Sequence, residues 1–289
     1  MNEPKRIDVS RRLIDLKAYK TRGAVESDYS ELITEDCALY ENGKLILLYV
    51  TAQESLEHIR GACDRIEYFR AARSGAMVST SRVIGFEPRK ALRKDFCSAV
   101  SLAREFPAEH DLIMGGGKLI AQRYSELNPS LYCYHNSLSK KNLSEEYRVE
   151  GMPFTSGIVN KNNPLKYHFD AGNYNAVWSG MVTLKNGIEG GHLALPEFDL
   201  GIELKDSTFF MFDGQGILHG VTPIKRQRVD AMRYTIVYYS LKQMWKCETV
   251  TDELLRIRKL RTRREKLGAR EAYIEEQLEA RRKRGGHVK

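Results

Sequence analysis

The sequence has no long apolar run. Its longest candidate, Leu45 to Val50, is strand-sized and far short of the ~18 consecutive apolar residues that a membrane span needs, so a transmembrane protein is not expected. A secretory signal is also not expected. The opening MNEPKRIDVSRRLIDLK is charged, with no apolar core followed by small residues, which leads to the expectation of a protein kept in an intracellular, reducing compartment. Cysteine is scarce and unpatterned: Cys37, Cys63, Cys97, Cys133 and Cys247 are widely spread, with no C-x-x-C pair. That argues against a disulfide framework or a structural zinc site and for reduced, mostly buried thiols. There is no H-E-x-x-H, which disfavours a zincin. The run Gly115-Gly116-Gly117-Lys118 lacks the spaced first glycine of a phosphate loop and continues with Leu119 instead of Ser or Thr.

What is present describes a globular chain with a basic lean. Its 289 residues are 42% hydrophobic and 29% charged, enough for one large domain with appendages or two small ones. The charge is unevenly placed: residues 252–289 hold 13 Lys and Arg against 7 Asp and Glu, or +6 of the total +8. Thr251 before Asp252 and Glu253 reads as a helix start. Leu260, Leu267 and Ile274 recur at seven-residue intervals, flanked by Ile257 and Leu278, so a helix, or two broken near Gly268, is expected. It ends in Arg281, Arg282, Lys283, Arg284, Gly285 and Gly286. This tail reads either as a phosphate-binding arm for nucleic acid or as a solvated helix with a frayed end.

Upstream, residues 1–43 read as a polar lead-in and Lys44 to Thr51 as a strand. Helices are expected over Gln53 to Ala72, Phe96 to Glu105 and Gly117 to Glu126, making the first half helix-rich. After Pro153 the texture changes to short β-rich runs separated by turns: Phe154 to Val159, Val177 to Leu184, His192 to Leu195, Thr208 to Phe212, Gly220 to Pro223 and Tyr234 to Ser240. Such spacing suggests an antiparallel sandwich or barrel. The expected organisation is α+β: a single domain over 44–248, with helical support in 53–150 and a barrel core in 153–241, then the basic helical tail 251–289.

The β-rich half carries His168-Phe169-Asp170 and, fifty-one residues after the first histidine, His219. Alternate residues of a strand share a face, so His168 and Asp170 can point at one atom. A second imidazole from a neighbouring strand would complete two histidines and a carboxylate on one side of a metal, leaving open positions that suit non-haem Fe(II). H-x-D alone is a weak signal. The spacing to His219, the Gly190-Gly191 pair, and the run from Ser207 to Asp213 leading to His219-Gly220 strengthen it.

Over Phe154 to Ser240 the sequence resembles the Fe(II)- and 2-oxoglutarate-dependent dioxygenases, through the H-x-D, the glycine pair before Leu193, Leu195 and Pro196, the distal His219 and a basic residue beyond it. The resemblance implies a double-stranded β-helix, or jelly roll, with His168, Asp170 and His219 as metal ligands and Fe(II), 2-oxoglutarate and O2 as cofactor and cosubstrates. A distal basic residue would pair with the far carboxylate of 2-oxoglutarate. Arg226, Arg228 and Arg233 compete for that role, and Arg233 is preferred because it opens the strand Arg-Tyr-Thr-Ile-Val-Tyr-Tyr-Ser with Thr235 on the same face. Asn160 resembles a position that touches 2-oxoglutarate in some relatives.

The run His168-Phe169-Asp170-Ala171-Gly172-Asn173 is similar to the H-R-D-x-H-N segment of the TET/JBP branch, as is the fourteen-residue interval from His219 to Arg233. That branch oxidises the methyl group of 5-methylcytosine or thymine in nucleic acid. The similarity implies that Asn173 contacts a flipped base; its rival reading is a turn residue. Tyr174 and Trp178 would stack on a base or pack in the core, Phe209, Phe210 and Phe212 read as core, and His192 reads as no ligand. Phe169 and Gly172 depart from the branch's Arg and His, and the cysteine-rich zinc regions of animal TET proteins are absent, so the likeness is to compact microbial and viral members. The expected function is oxidation of a 5-methylpyrimidine in DNA, 5-methylcytosine favoured and thymine next, with the basic tail as a phosphate contact and no membrane partner. The alternatives are a hydroxylase of a protein side chain or small molecule, and a catalytically inactive DNA-binding protein on an oxygenase scaffold.

Overall fold

Two β-sheets face one another across an apolar layer in this computed structural model, which describes residues 3–73, 77–90, 96–266 and 270–283. The larger sheet runs, in spatial order, Lys5–Val9, Cys37–Glu41, Lys44–Thr51, Thr208–Phe212, Ser179–Asn186, Met232–Tyr239, Ser156–Lys161, Met77–Glu87 and Phe69–Arg73, with Ser98–Ala99 paired to Met77–Glu87. The smaller runs Glu31–Ile33, Leu200–Ile202, Leu193–Leu195, His219–Val221 and Leu165–His168. A hairpin-like pair, Ile188–Gly190 and Ile224–Arg226, lies apart from both. This mixed α/β arrangement of large, mainly antiparallel sheets is consistent with a jelly roll.

The larger sheet is covered on both faces, which explains why its central strands are apolar throughout instead of alternating. On Thr208–Phe212, Phe210 and Phe212 point to the smaller sheet, while Phe209 and Met211 point to a helical layer. Leu47 and Tyr49 divide from Leu48 and Val50 in the same way. The helical layer is formed by Glu57–Arg65, through Ile59, Ala62 and Cys63, and by Pro107–Leu127, through Ile113, Ile120, Ala121 and Tyr124. The glycine run lies inside this second helix. A Cβ on Gly116 would stand 2.5 Å from the Tyr238 hydroxyl and one on Gly117 2.7 Å from Met152 Sδ, so these glycines let the helix approach the sheet.

Several expectations need correction. Residues 1–43 are not a separate lead-in: Lys5–Val9 and Cys37–Glu41 join the larger sheet and Glu31–Ile33 the smaller. Lys5–Val9 and Glu31–Ile33 read as polar because, as the end strands of their sheets, they are mostly exposed, whereas Cys37–Glu41 lies inside its sheet with Cys37, Ala38 and Leu39 buried. The first half is likewise not simply helix-rich. The helix expected over Gln53 to Ala72 stops at Arg65 and gives way to Phe69–Arg73, where Phe69 is exposed. In Phe96 to Glu105 only Leu102–Glu105 is helical. The helix Pro129–Asn142 escapes periodicity because its buried residues, His135 and Ser139, are polar.

The tail forms two helices, Val250–Lys266 and Arg270–Lys283. The break expected near Gly268, Leu267 of the stripe, and the end of the basic run from Arg284 onward lie outside the described residues. The cap is Thr249, whose Oγ1 accepts from Asp252 N at 3.2 Å, rather than Thr251. The root is fixed to the body. Glu253, 1% exposed, accepts from Arg89 Nε at 3.0 Å, Cys97 N at 3.1 Å and Glu248 N at 3.1 Å. Cys97 and Cys247 form a disulfide with Cα atoms 5.8 Å apart, correcting the expectation of five reduced thiols; a sequence separation of 150 hides such a pair from any spacing rule. Cys37 and Cys63 are buried and free, and burial pushes both thiols up to about 12. Among the described residues no helix is long and apolar enough to cross a membrane.

Candidate active site

The strand Leu165–His168 lies antiparallel to His219–Val221, in a register that sets His168 directly opposite His219. Their ring centroids are 4.3 Å apart. Asp170 lies two residues past the strand end, where its N–H donates to the Gly214 carbonyl at 2.8 Å. A loop contact, rather than strand alternation, thus positions the carboxylate. Its Oδ1 is 3.8 Å from Nε2 of each histidine.

Both imidazoles are held from behind: His168 Nδ1 donates to the Lys166 carbonyl at 2.8 Å and His219 Nδ1 to the Ile217 carbonyl at 2.9 Å. A carbonyl can only accept, so the ring proton sits on Nδ1 and the Nε2 lone pair faces Asp170. Burial, and then the neighbouring His168, push the His219 pKa down, favouring the neutral form that ligates. Asp170 Oδ2 is held away from the histidines, accepting from Ser179 Oγ at 3.4 Å and lying against Gly214, where a Cβ would come within 2.1 Å. Two imidazole nitrogens and one carboxylate oxygen within 4.8 Å of one another form a donor set that fits Fe(II) with positions left open.

These residues line a cavity of about 250 Å³ between the sheets, together with Asn160, Asn173, Arg233 and Thr235. The strand Met232–Tyr239 explains the selection: Arg233, Thr235, Val237 and Tyr239 face the cavity, while Tyr234, Ile236 and Tyr238 face the helical layer. Arg233 is 2% exposed; its Nη2 donates to the Gly191 carbonyl at 3.2 Å and its Nε has no partner. Burial pulls its pKa down to about 10, so it remains a cation at neutral pH. A buried guanidinium with an unused N–H beside a cavity calls for an anion, and a planar carboxylate matches it. Thr235 pairs in register with Asn160, whose Oδ1 is buried without a partner. Arg226 and Arg228 are exposed, and Arg228 pairs with Asp230.

Asn173 lines the cavity, but its Nδ2 donates to Ser179 Oγ at 2.7 Å and its backbone carbonyl accepts from Gln215 at 2.9 Å. Tyr174 does not line the cavity. It is fully buried on the other side of the chain, packed on Trp245 at 4.8 Å and His135 at 5.8 Å, which corrects its assignment as a stacking platform. Trp178 stacks on Tyr124 at 5.5 Å in the helical layer. Phe209 is core, whereas Phe210 and Phe212 also line the cavity, and Phe212 meets the His219 ring edge-on at 4.8 Å. His192 binds Tyr29 through Nδ1 at 2.8 Å, outside the ligand group. Ser179 and Gly214 went unnoticed in the sequence; the turn-forming Asp213-Gly214-Gln215-Gly216 was the available signal.

Residues 94–242 match the TET/JBP family model, described as the oxygenase domain of the 2OGFeDO superfamily. Relatives include the bifunctional helicase and thymine dioxygenase JBP2 of Leishmania braziliensis, 23% identical over 256 residues, covering 81% of this chain and 22% of that protein. The protein of the same name from Leishmania tarentolae is 22% identical over 254 residues, covering 80% and 22%. The chain thus spans about a fifth of the length of these relatives. The solved structure of NgTET1 in complex with 5mC DNA shares the fold, with a TM-score of 0.56 at 16% identity over 80% of this chain and 87% of that one. Fe(II), 2-oxoglutarate and O2 are the cofactor and cosubstrates of the superfamily, and the His168, Asp170 and His219 group can bind the metal. With more than half of its length inside the matched segment, the chain belongs to the TET/JBP family of the 2-oxoglutarate- and Fe(II)-dependent oxygenase superfamily.

Proposed function

We propose that this oxygenase oxidises the methyl group of a 5-methylpyrimidine in DNA, 5-methylcytosine favoured and thymine next. The observation that carries the reading is one cavity that holds both a His-Asp-His group and a buried arginine with no carboxylate partner. His168 Nε2, Asp170 Oδ1 and His219 Nε2 would hold the metal. Arg233 would take the far carboxylate of 2-oxoglutarate, with Thr235 and Asn160 beside it. Bound Fe(II) supplies the oxidising chemistry that couples decarboxylation of 2-oxoglutarate to oxygen insertion.

The chain's own residues orient and exclude. The Nδ1–H bonds to Lys166 and Ile217 fix the imidazole planes before anything binds. Leu165, Leu193, Phe210, Phe212 and Val221 give the cavity an apolar wall that keeps water from the reacting methyl. A nucleic-acid substrate is supported by the relatives, one named a thymine dioxygenase and the other solved with 5mC DNA. A stacked base cannot enter such a cavity, so a duplex would present it flipped out. Holding that strand requires phosphate contacts, for which the +6 tail is suited.

The test is incubation with Fe(II), 2-oxoglutarate and DNA containing 5-methylcytosine or thymine, followed by nucleoside mass spectrometry. The expected result is a gain of one oxygen on a methyl group. Succinate release with neither base modified would transfer the reading to a protein or small-molecule hydroxylase, and no succinate at all to a non-catalytic DNA-binding protein.

A further inference from the structure

A polar relay runs behind the candidate metal ligands. Asn173 Nδ2 donates to Ser179 Oγ at 2.7 Å, and the Ser179 hydroxyl donates in turn to Asp170 Oδ2 at 3.4 Å. We infer that Asn173 and Ser179 are positioning residues that select Oδ1 of Asp170 as the metal ligand. The inference rests on the metal assignment above.

An aspartate carboxylate turns over a broad torsional range, yet only one of its oxygens can face both imidazoles at a time. Here Oδ1 does, at 3.8 Å from each Nε2. Gly214 walls the opposite side, since even a Cβ there would reach Oδ2. Shape alone leaves the hydrogen-bond pattern open, because a serine hydroxyl can donate in several directions. The amide nitrogen of Asn173 can only donate, so Ser179 Oγ must accept from it and direct its single proton elsewhere, to Asp170 Oδ2.

Asn173 is itself pinned. It is 7% exposed, bridges to Leu241 through the backbone, and accepts from Gln215 at its carbonyl. Gly172, between Asp170 and Asn173, has φ +90°, a left-handed conformation suited to glycine. An amide nitrogen carries two N–H groups, and one of those of Asn173 is committed to Ser179 Oγ.

The experiment uses the full chain with Mn(II) as a redox-silent probe, titrated by electron paramagnetic resonance in the presence of 2-oxoglutarate. Asn173→Leu keeps the branched outline of the side chain and deletes the donor, and Ser179→Ala deletes the relay hydroxyl. Each is expected to weaken Mn(II) binding by about 10-fold, as loss of groups behind a ligand does. The double variant should be little weaker than the worse single one. Wild-type Mn(II) affinity in Asn173→Leu overturns the inference. Fully additive losses would also overturn it, since two residues in one relay must couple. Failure of the unaltered protein to bind Mn(II) would remove the metal assignment itself, an outcome distinct from these. Thermal melts establish that each variant is folded.

Discussion

Gly191 is at once partner and clearance for Arg233. Its carbonyl accepts from Arg233 Nη2 at 3.2 Å, and a Cβ at this position would stand 3.2 Å from Nε. The backbone there has φ +70°, so Gly191→Ala combines strain with crowding of the guanidinium. We predict that this variant raises the KM for 2-oxoglutarate several-fold more than it lowers kcat, measured by succinate release.

Arg233 also carries a cost in the empty protein. A buried cation without a counter-charge is unfavourable, so Arg233→Met should stabilise the ligand-free protein, by about 1–2 kcal/mol, while abolishing 2-oxoglutarate binding. Calorimetric titration together with a thermal melt checks both halves. A lower Tm with no ligand present would show that the guanidinium is satisfied in a way the hydrogen-bond pattern does not reveal.

Removal of a ligand should end the chemistry. Asp170→Ala or His168→Ala is expected to reduce 2-oxoglutarate turnover by more than about 100-fold, beyond the range for groups behind the ligands. Turnover that survives either change overturns the metal assignment.

His135 sets a prediction for acid stability. It is fully buried against Ser240, and burial pushes its pKa down to about 3. The unfolded chain, with a histidine near 6.5, binds more protons than the folded one between these values, so stability is complete above 6.5 and falls as pH drops toward 3. The loss due to this residue is about 2 kcal/mol at pH 5. His135→Gln should therefore show a smaller fall in Tm between pH 7 and pH 5 than the unaltered protein; an equal fall removes His135 as the cause.

The tail should be cut below its root. Truncation before Glu253 would leave Arg89 and the Cys97 N–H without their carboxylate, so loss of DNA binding in that variant would be ambiguous. Deletion of residues 259–289 keeps Glu253. It is predicted to weaken retention on DNA and flatten its dependence on salt, measured by anisotropy across a salt series, with the Tm of the body unchanged. An unaltered salt slope would make the tail a solvated helix pair.

Motif and spacing made His168, Asp170, His219 and Arg233 legible. Strand periodicity bears on His168 and His219, which stand opposite one another across two strands, and on Arg233, which faces the cavity with Thr235; Asp170 lies past its strand end and is brought to the histidines by a loop contact. The strands Lys44–Thr51 and Thr208–Phe212 were legible for a related reason: apolar runs of that length bounded by polar residues have few other uses. The end strands Lys5–Val9 and Glu31–Ile33 were hidden by their solvated faces, and the helix Pro129–Asn142 by its polar buried residues. Tyr174 was misread because adjacent residues in extended chain face opposite ways, so proximity to Asn173 in sequence placed it away from the cavity. Ser179 and Gly214 act across the fold, and no local pattern reports such a contact.

Gly214 leaves a single-atom tolerance beside the carboxylate. A chain could keep both histidines, the aspartate and the arginine, carry alanine at this one position, and present its carboxylate in the wrong attitude. One methyl group at a residue outside both the ligand group and the cavity lining would therefore be expected to disturb the carboxylate, which makes position 214 a diagnostic that ligand motifs do not supply.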